Sequence, residues 1–175
     1  LASHETTGLV RNWGASDGND ATPDCHNAYN RSASYGDDAA RTPWRIATDY
    51  AWNGTPEAKA WNDKVTTWVK SVGITNIVQW YKLDGTPDME ANTWDDHTVI
   101  NIGPFAVGAM SYDAATAQEF ADEMLAIPTT EGSHDAGAMR SLDEPVLARA
   151  LRGARAPGTL SYASALNGRE ETAGY

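Results

Sequence analysis

Apolar residues recur every three or four positions in the middle of the chain, which is the period of a helix with one buried face. The first such stretch begins near Ile46 and ends at Asn53-Gly54, a helix-stop signal. The second begins at Thr55-Pro56, where threonine suits the N-cap and proline the first helical position. It ends at Gly73. Its apolar positions are Trp61, Val65, Trp68, Val69 and Val72. The pattern predicts two successive amphipathic helices.

Two further helices are predicted downstream. The stretch from Val99 to Met110 is almost wholly apolar, and its length favours a buried helix over a strand, with Gly103-Pro104 near a start or a kink. Residues 114–126 form another helix candidate. Its apolar side is predicted to hold Phe120, Met124 and Leu125. Residues 74–83 fit a short helix or an extended segment. Long polar loops join these elements without strand–helix–strand alternation, so the predicted fold class is all-α.

Composition narrows the classes of ligand. The chain has 175 residues, with 24 Asp and Glu against 13 Lys and Arg and a formal net charge of -11. This acidity argues against a nucleic-acid partner, because phosphate binding requires clustered cations. No apolar run approaches the roughly 18 residues that a membrane helix needs, so no membrane partner is expected. Seven tryptophans and seven tyrosines on an acidic chain suit a neutral polar ligand.

The composition changes near Pro128. Residues 1–127 carry 18 acidic and 8 basic side chains and every tryptophan, whereas residues 128–175 carry 6 and 5 and are rich in Ala, Gly and Arg. We therefore divide the chain into a helical region, 1–127, and a divergent tail, 128–175, which we expect to be poorly ordered or different in structure. The chain begins at Leu1 without a signal-peptide pattern, so we expect a mature form or part of a longer protein.

The strongest candidate for chemistry is the sequence YGDDAARTPWR at residues 35–45. It places Asp37 and Asp38 at the start of a predicted helix, with two arginines and two aromatic residues nearby. A carboxylate at a helix start is stabilised as the anion, which suits a general base, and an aromatic ring can stack on a sugar. The alternative is that one aspartate merely caps the helix, which is the commoner role of such residues.

Other candidate groups have simpler interpretations. Cys25-His26 lacks a third group that would orient a nucleophile and its base, and a single cysteine excludes a disulfide framework. The acidic loop that ends in Asp95-Asp96-His97 lacks the ligand spacing of a calcium loop, so no metal site is predicted. No glycine-rich phosphate loop appears, and no cofactor is predicted.

The sequence DAARTPWRIA at residues 38–47, followed by Asp49-Tyr50 and Trp52, closely resembles the helix signature of glycoside hydrolase family 8. Three other segments resemble the same family in the same order. They are TGLV at residues 7–10 with Trp13, VGITNIV at residues 72–78, and IGPFAVGAM at residues 102–110. Together they span about residues 7–126, the C-terminal part of such an enzyme.

This resemblance implies about half of the twelve helices of an (α/α)6 barrel, in a secreted bacterial enzyme that cleaves internal β-1,4 bonds of cellulose-like glucans with inversion. It implies that Asp38 is the catalytic base and that Arg41 is its partner and a substrate contact. The other candidate substrate contacts are Tyr35, Asp37, Trp44 and Trp94. The implied partner is a β-glucan polysaccharide or oligosaccharide, with xylan, mixed-linkage glucan and chitosan left open. Half a barrel would leave apolar surface for a second copy or a missing segment to cover.

Two features depart from the family pattern. The family places an aromatic residue directly before the base, and here that residue is Asp37, which can disfavour ionisation of Asp38 or compete for its role. The family's general acid is a glutamate in a Ser-Glu-Gly-type motif upstream of the base, and this sequence has no such segment. The alternative prediction is therefore a non-catalytic carbohydrate-binding remnant that lacks the acid.

Overall fold

The computed structural model describes residues 3–15, 17, 19, 32–90 and 97–127. Their regular elements are α1 (Thr42–Asn53), α2 (Pro56–Val72), α3 (Val99–Ala109) and α4 (Ala114–Ala126), with 3₁₀ turns at Ala39–Arg41 and Ile74–Asn76. These described ranges contain four α-helices and no β-strand, which confirms the all-α class. The predicted tail, the Cys25-His26 pair and Trp94 lie outside the described residues.

The first two helices end where the sequence signals predicted. Gly54 closes α1 in the left-handed region with φ of 67°, and Gly73 follows the last residue of α2. α1 begins at Thr42, four residues before its apolar pattern, because Pro43 fits the first turn of a helix. Thr55 occupies the N-cap of α2, but its side chain makes no capping hydrogen bond. The predicted apolar face of α2 is confirmed, with Trp61, Val65, Trp68 and Val69 buried and Val72 partly buried.

α3 lies at the centre of the packed helices. Every residue from Val99 to Ala109 is buried, because α1, α2 and α4 all pack against this helix. The predicted buried helix is confirmed, and Pro104 lies inside it, where proline has no N–H to donate to the preceding turn. Across the described ranges, no helix combines the length and the apolar character needed to span a membrane.

α4 packs on α3 through a stripe of buried side chains. The stripe consists of Ala117, Phe120, Ala121 and Met124. The prediction that Leu125 shares this side is wrong, since its side chain is 53% exposed. Successive residues turn by about 100° around a helix, so Leu125 lies at the edge of a stripe centred on the other four.

His97 joins α4 to the segment that follows α2. Its Nδ1 atom lies 2.6 Å from the carbonyl oxygen of Ile77, and its Nε2 atom lies 2.8 Å from Oε1 of Glu123. The ring therefore connects the residues just before α3 both to α4 and to the segment that follows α2. Residues 77–81, which it holds on one side, continue directly into the site described below.

The N-terminus of α4 offers a test of how this fold is stabilised. Oδ1 of Asp113 accepts a hydrogen bond of 2.7 Å from the backbone N–H of Thr116, and this bond lowers the pKa of Asp113 below its ordinary value. We expect Asp113→Ala to lower the free energy of unfolding at pH 7 by about 1 kcal/mol, as for other N-cap deletions. Urea unfolding at several pH values measures this loss.

The pH dependence follows from the lowered pKa. The capping carboxylate contributes stability above the pKa of the unfolded chain, about 3.9, and this contribution is lost as the pH falls through the lower folded value. The difference between the wild type and Asp113→Ala should therefore shrink below about pH 4. Asp113→Asn keeps a capping oxygen without a titrating group, so it should retain most of the stability at pH 7. If Asp113→Asn lowered the free energy of unfolding as much as Asp113→Ala does, the capping explanation would be contradicted.

Candidate active site

The predicted site lies where three extended segments meet before α1. Tyr35 and Tyr81 exchange two backbone hydrogen bonds of 2.8 and 3.0 Å in an antiparallel bridge. On the other side, the backbone N–H of Asn12 donates to the carbonyl of Ser34 at 2.7 Å. Residues 34 and 35 are thus held between two neighbouring segments, three residues before Asp38.

The backbone at Gly36 lies directly against an indole ring. A Cβ atom added to Gly36 would lie 2.1 Å from Cζ3 and 2.2 Å from Cε3 of Trp80, far inside van der Waals contact. Trp80 is itself buried, so its ring cannot move easily out of the way. Glycine is therefore required here by close packing, and the contact fixes the chain two residues before Asp38.

Asp38 does not cap the helix that follows it. Its residue occupies the N-cap position of the Ala39–Arg41 turn, yet its side chain makes no capping hydrogen bond. Instead, Oδ1 of Asn12 accepts from the backbone N–H groups of Asp38 at 2.8 Å and Ala39 at 2.9 Å. The capping interpretation therefore does not hold for Asp38, and its carboxylate remains 34% exposed.

Arg41 pairs with Asp38 across one turn. Its Nη2 atom lies 3.1 Å from Oδ1 of Asp38, and the arginine side chain is 37% exposed. An ion pair this exposed contributes little to the free energy of unfolding, because water screens it. Its effect is local: the planar guanidinium restricts the orientation of the carboxylate.

Asp37 has a different partner from Asp38. Its Oδ1 atom accepts a short hydrogen bond from the side-chain amide of Gln79. Gln79 is anchored in turn, since its backbone carbonyl accepts from Nδ2 of Asn101 in α3 at 2.9 Å. The two neighbouring carboxylates are thus held separately. Of the two, Asp38 is the one that pairs with the arginine of the family motif.

Tyr35 lies in the core rather than at the surface. Its side chain is fully buried, and its ring stacks on Phe105 of α3 with centroids 5.7 Å apart. Burial also raises the pKa of the Tyr35 hydroxyl well above its ordinary value, so the phenol stays neutral. This placement corrects the expectation that Tyr35 is a sugar platform, because the ring has no face open to solvent.

The two other predicted substrate contacts are tryptophans. Trp44 is half-buried on α1 and packs against the core, which leaves part of its ring at the surface. Trp94 lies outside the described residues. The described ranges contain no group of three or more His, Cys, Asp and Glu side chains that could hold a metal ion, and we assign no metal site.

Sequence reasoning missed Asn12, Gln79 and Trp80. All three act across 26 or more residues, through hydrogen bonds or ring packing that no local spacing encodes. The nearest signal was the TGLV segment with Trp13, which matched the family and includes Asn12 within its span. That match indicated the segment but not the atom that contacts the backbone of Asp38.

The sequence has relatives among known proteins. Endoglucanase 2 of Ruminiclostridium josui is 32% identical over 130 residues, which cover 74% of this chain and 26% of the relative. Endoglucanase A of Acetivibrio thermocellus is 35% identical over 126 residues, which cover 71% and 24%. The chain thus spans about a quarter of the length of these relatives. No family model matches the chain.

Solved structures share the fold. The β-1,3-1,4-glucanase from Paenibacillus sp. X4 superposes with a TM-score of 0.63 at 23% identity, over 81% of this chain and 38% of that one. A GH8 xylobiose complex from Teredinibacter turnerae gives 0.61 at 21% identity, over 81% and 36%. The fold is therefore part of an (α/α)6 barrel. The resemblance to glycoside hydrolase family 8 is confirmed, and the chain is similar to a partial segment of such an enzyme.

Gly36 allows a direct test of the site's packing. We expect Gly36→Ala to displace the Trp80 ring and to lower the free energy of unfolding by about 1–3 kcal/mol, as overpacking of a buried position does. Tryptophan fluorescence and urea unfolding measure the two effects.

The matched control is Gly14→Ala. A Cβ atom there would meet the flexible side chain of Arg11 at 3.2 Å, so little change is expected. Equal effects of the two substitutions would show that the contact with Trp80 is not the cause.

Proposed function

We propose that this chain supplies the general base of an inverting β-1,4-glycan hydrolase, with Asp38 as the base and Arg41 as its partner. The observation that carries the proposal is the state of the Asp38 carboxylate. It is partly exposed, it has no capping role, and it pairs with Arg41 at 3.1 Å. Because the endoglucanase relatives extend well beyond this chain, the activity of the whole protein is part of the proposal.

The proposed reaction assigns each residue one role. The ionised Asp38 accepts a proton from a water molecule as that water attacks the anomeric carbon from the face opposite the leaving group. A second, protonated carboxyl group about 6.5–9.5 Å away donates its proton to the departing glycosidic oxygen. Arg41 pairs with Asp38 and orients its carboxylate between turnovers. The sugar product therefore has inverted anomeric configuration.

The proposed substrate is a cellulose-like β-glucan, cleaved at internal bonds. The relatives at 32% and 35% identity are endoglucanases, which supports a glucan over the xylan products named for more distant structures. Trp44 and Trp94 are the proposed sugar contacts from the sequence. Trp13, which is 39% exposed and adjacent to Asn12, is a further proposed aromatic contact. Secretion and pairing with a second copy stay predictions.

A second function is favoured by one feature of the sequence. The Ser-Glu-Gly-type segment that carries the family's general acid does not occur in the 175 residues. A chain with the base but no acid would bind a glucan without cleaving it. In that case the protein acts as a carbohydrate-binding remnant, and the same aromatic side chains would contact the polysaccharide.

Asp38→Asn tests the assignment of the base. We expect reducing-sugar release from carboxymethylcellulose to fall by about 10²–10⁴-fold, the usual contribution of a general base. The matched control is Asp63→Asn on α2, where the carboxylate is 32% exposed and pairs with Lys59 at 2.6 Å. The control should keep the wild-type rate, because α2 carries no proposed catalytic group.

The outcomes separate the two functions. Wild-type activity in Asp38→Asn would show that Asp38 is not the base. Retention of the wild-type chain in glucan-containing native gels, with no sugar release at any pH, would establish the binding function instead. Proton NMR of the first product tests the stereochemistry, since cleavage of a β bond with inversion gives the α-anomer first.

A further inference from the structure

The turn that follows Asp38 begins with backbone N–H groups that its own residues do not satisfy. The first N–H groups of a helical segment have no partner inside the segment, and a side-chain oxygen normally accepts from them. Asp38 occupies the position from which such an oxygen usually comes, but it makes no such bond. The N–H of Ala40, one of those that such an oxygen would take, donates instead to the carbonyl of Gly36 at 2.7 Å, which leaves the N–H groups of Asp38 and Ala39.

The acceptor for these two groups is Asn12, 26 residues upstream of Asp38. Its Oδ1 atom lies 2.8 Å from the backbone nitrogen of Asp38 and 2.9 Å from that of Ala39. Both partners are donors, so the side-chain atom between them is the amide oxygen rather than the amide nitrogen. One neutral oxygen thus accepts from both residues at the start of the turn.

Asn12 is itself held in place. Its backbone N–H donates to Ser34 at 2.7 Å, and the next N–H, that of Trp13, donates to Ser32 at 3.0 Å. Ser34 leads directly into Tyr35, which is paired with Tyr81. The backbone of Asn12 and the segment that carries Asp38 are therefore parts of one hydrogen-bonded layer, and a shift of one moves the other.

Two consequences for Asp38 follow. Because Asn12 accepts from the N–H groups of residues 38 and 39, it fixes the backbone from which the Asp38 carboxylate reaches Arg41. Because the Asn12 amide is uncharged, it does so without adding a negative charge to that of the neighbouring Asp37. Aspartate at position 12 would accept the same two hydrogen bonds but would bring that charge.

We propose that Asn12 is the positioning residue of the general base: its Oδ1 atom holds the backbone of Asp38 and Ala39 and thereby fixes where that carboxylate lies. This inference rests on the proposed function of Asp38. It concerns the contact between Asn12 and the backbone of residues 38 and 39, which nothing in the motif itself specifies.

Hydrogen exchange of the full chain tests the contact without relying on catalysis. We expect the amides of Asp38 and Ala39 to exchange at least about tenfold faster in Asn12→Ala, since they lose the Oδ1 atom that accepts their hydrogen bonds. Asn12→Asp should restore the protection, and it keeps the test valid if the alanine variant does not fold. Asn53→Ala, which removes an exposed side-chain bond to Asp49, is the matched control. Unchanged exchange at residues 38 and 39 in Asn12→Ala overturns the inference.

A second measurement separates positioning from simple stabilisation. In Asn12→Asp the contact is kept while a charge is added, so the acidic limb of kcat/KM, or the NMR titration of the Asp38 carboxyl where turnover is absent, should move to higher pH. A purely structural role predicts no movement. In Asn12→Ala we expect kcat to fall by about 10²-fold with little change in KM, as for a misplaced catalytic group.

The two proposals fail in different ways. Full activity in Asp38→Asn would defeat the proposed function and leave the exchange result standing. Unchanged exchange and an unmoved titration in the Asn12 variants would defeat the positioning role. That result would leave the assignment of Asp38 intact.

Discussion

The complete burial of α3 is the constraint on which the rest of the described structure depends. Eleven consecutive residues have no solvent-facing side, so α1, α2 and α4 must each turn an apolar stripe toward them. A helix that is apolar all round cannot lie at a surface of an aqueous protein. The apolar stripes on α2 and α4 therefore face α3. Leu125 lies at the edge of the stripe on α4, so its side chain faces solvent.

The same helix reaches the site through two of its side chains. Phe105 stacks on Tyr35, whose backbone pairs with Tyr81, and so the core positions the segment that precedes Asp38. Asn101, one turn earlier, donates to the carbonyl of Gln79, the residue whose side chain holds Asp37. Both carboxylates are thus connected to the core by different side chains of one buried helix. This arrangement explains how neighbouring aspartates acquire separate partners.

Much of the fold could be predicted from the sequence because its signals are local. Gly54, Pro56 and Gly73 mark helix ends through backbone preferences, and the apolar period marks the buried faces. The site was predictable only as far as its motif extends: Asp38 and Arg41 lie one turn apart, so their pairing follows from helical spacing. The roles of Asn12 and Trp80 were not predictable, because each depends on where the chain returns in three dimensions. Tyr35 was misplaced for the same reason, since its burial is decided by Phe105, 70 residues away.

In the proposed inverting mechanism, Asp38 can serve as the base without any contact with the acid. The two carboxyl groups are separated by about 6.5–9.5 Å to admit a water molecule and a sugar ring, so they need share no direct contact. Each can therefore be held by its own surroundings and come from distant parts of a barrel. The contacts described around Asp38, from Asn12 and Arg41, belong to this chain and do not require the acid to be present. The geometry around Asp38 therefore supports its proposed role as base whichever part of a barrel supplies the second carboxyl group.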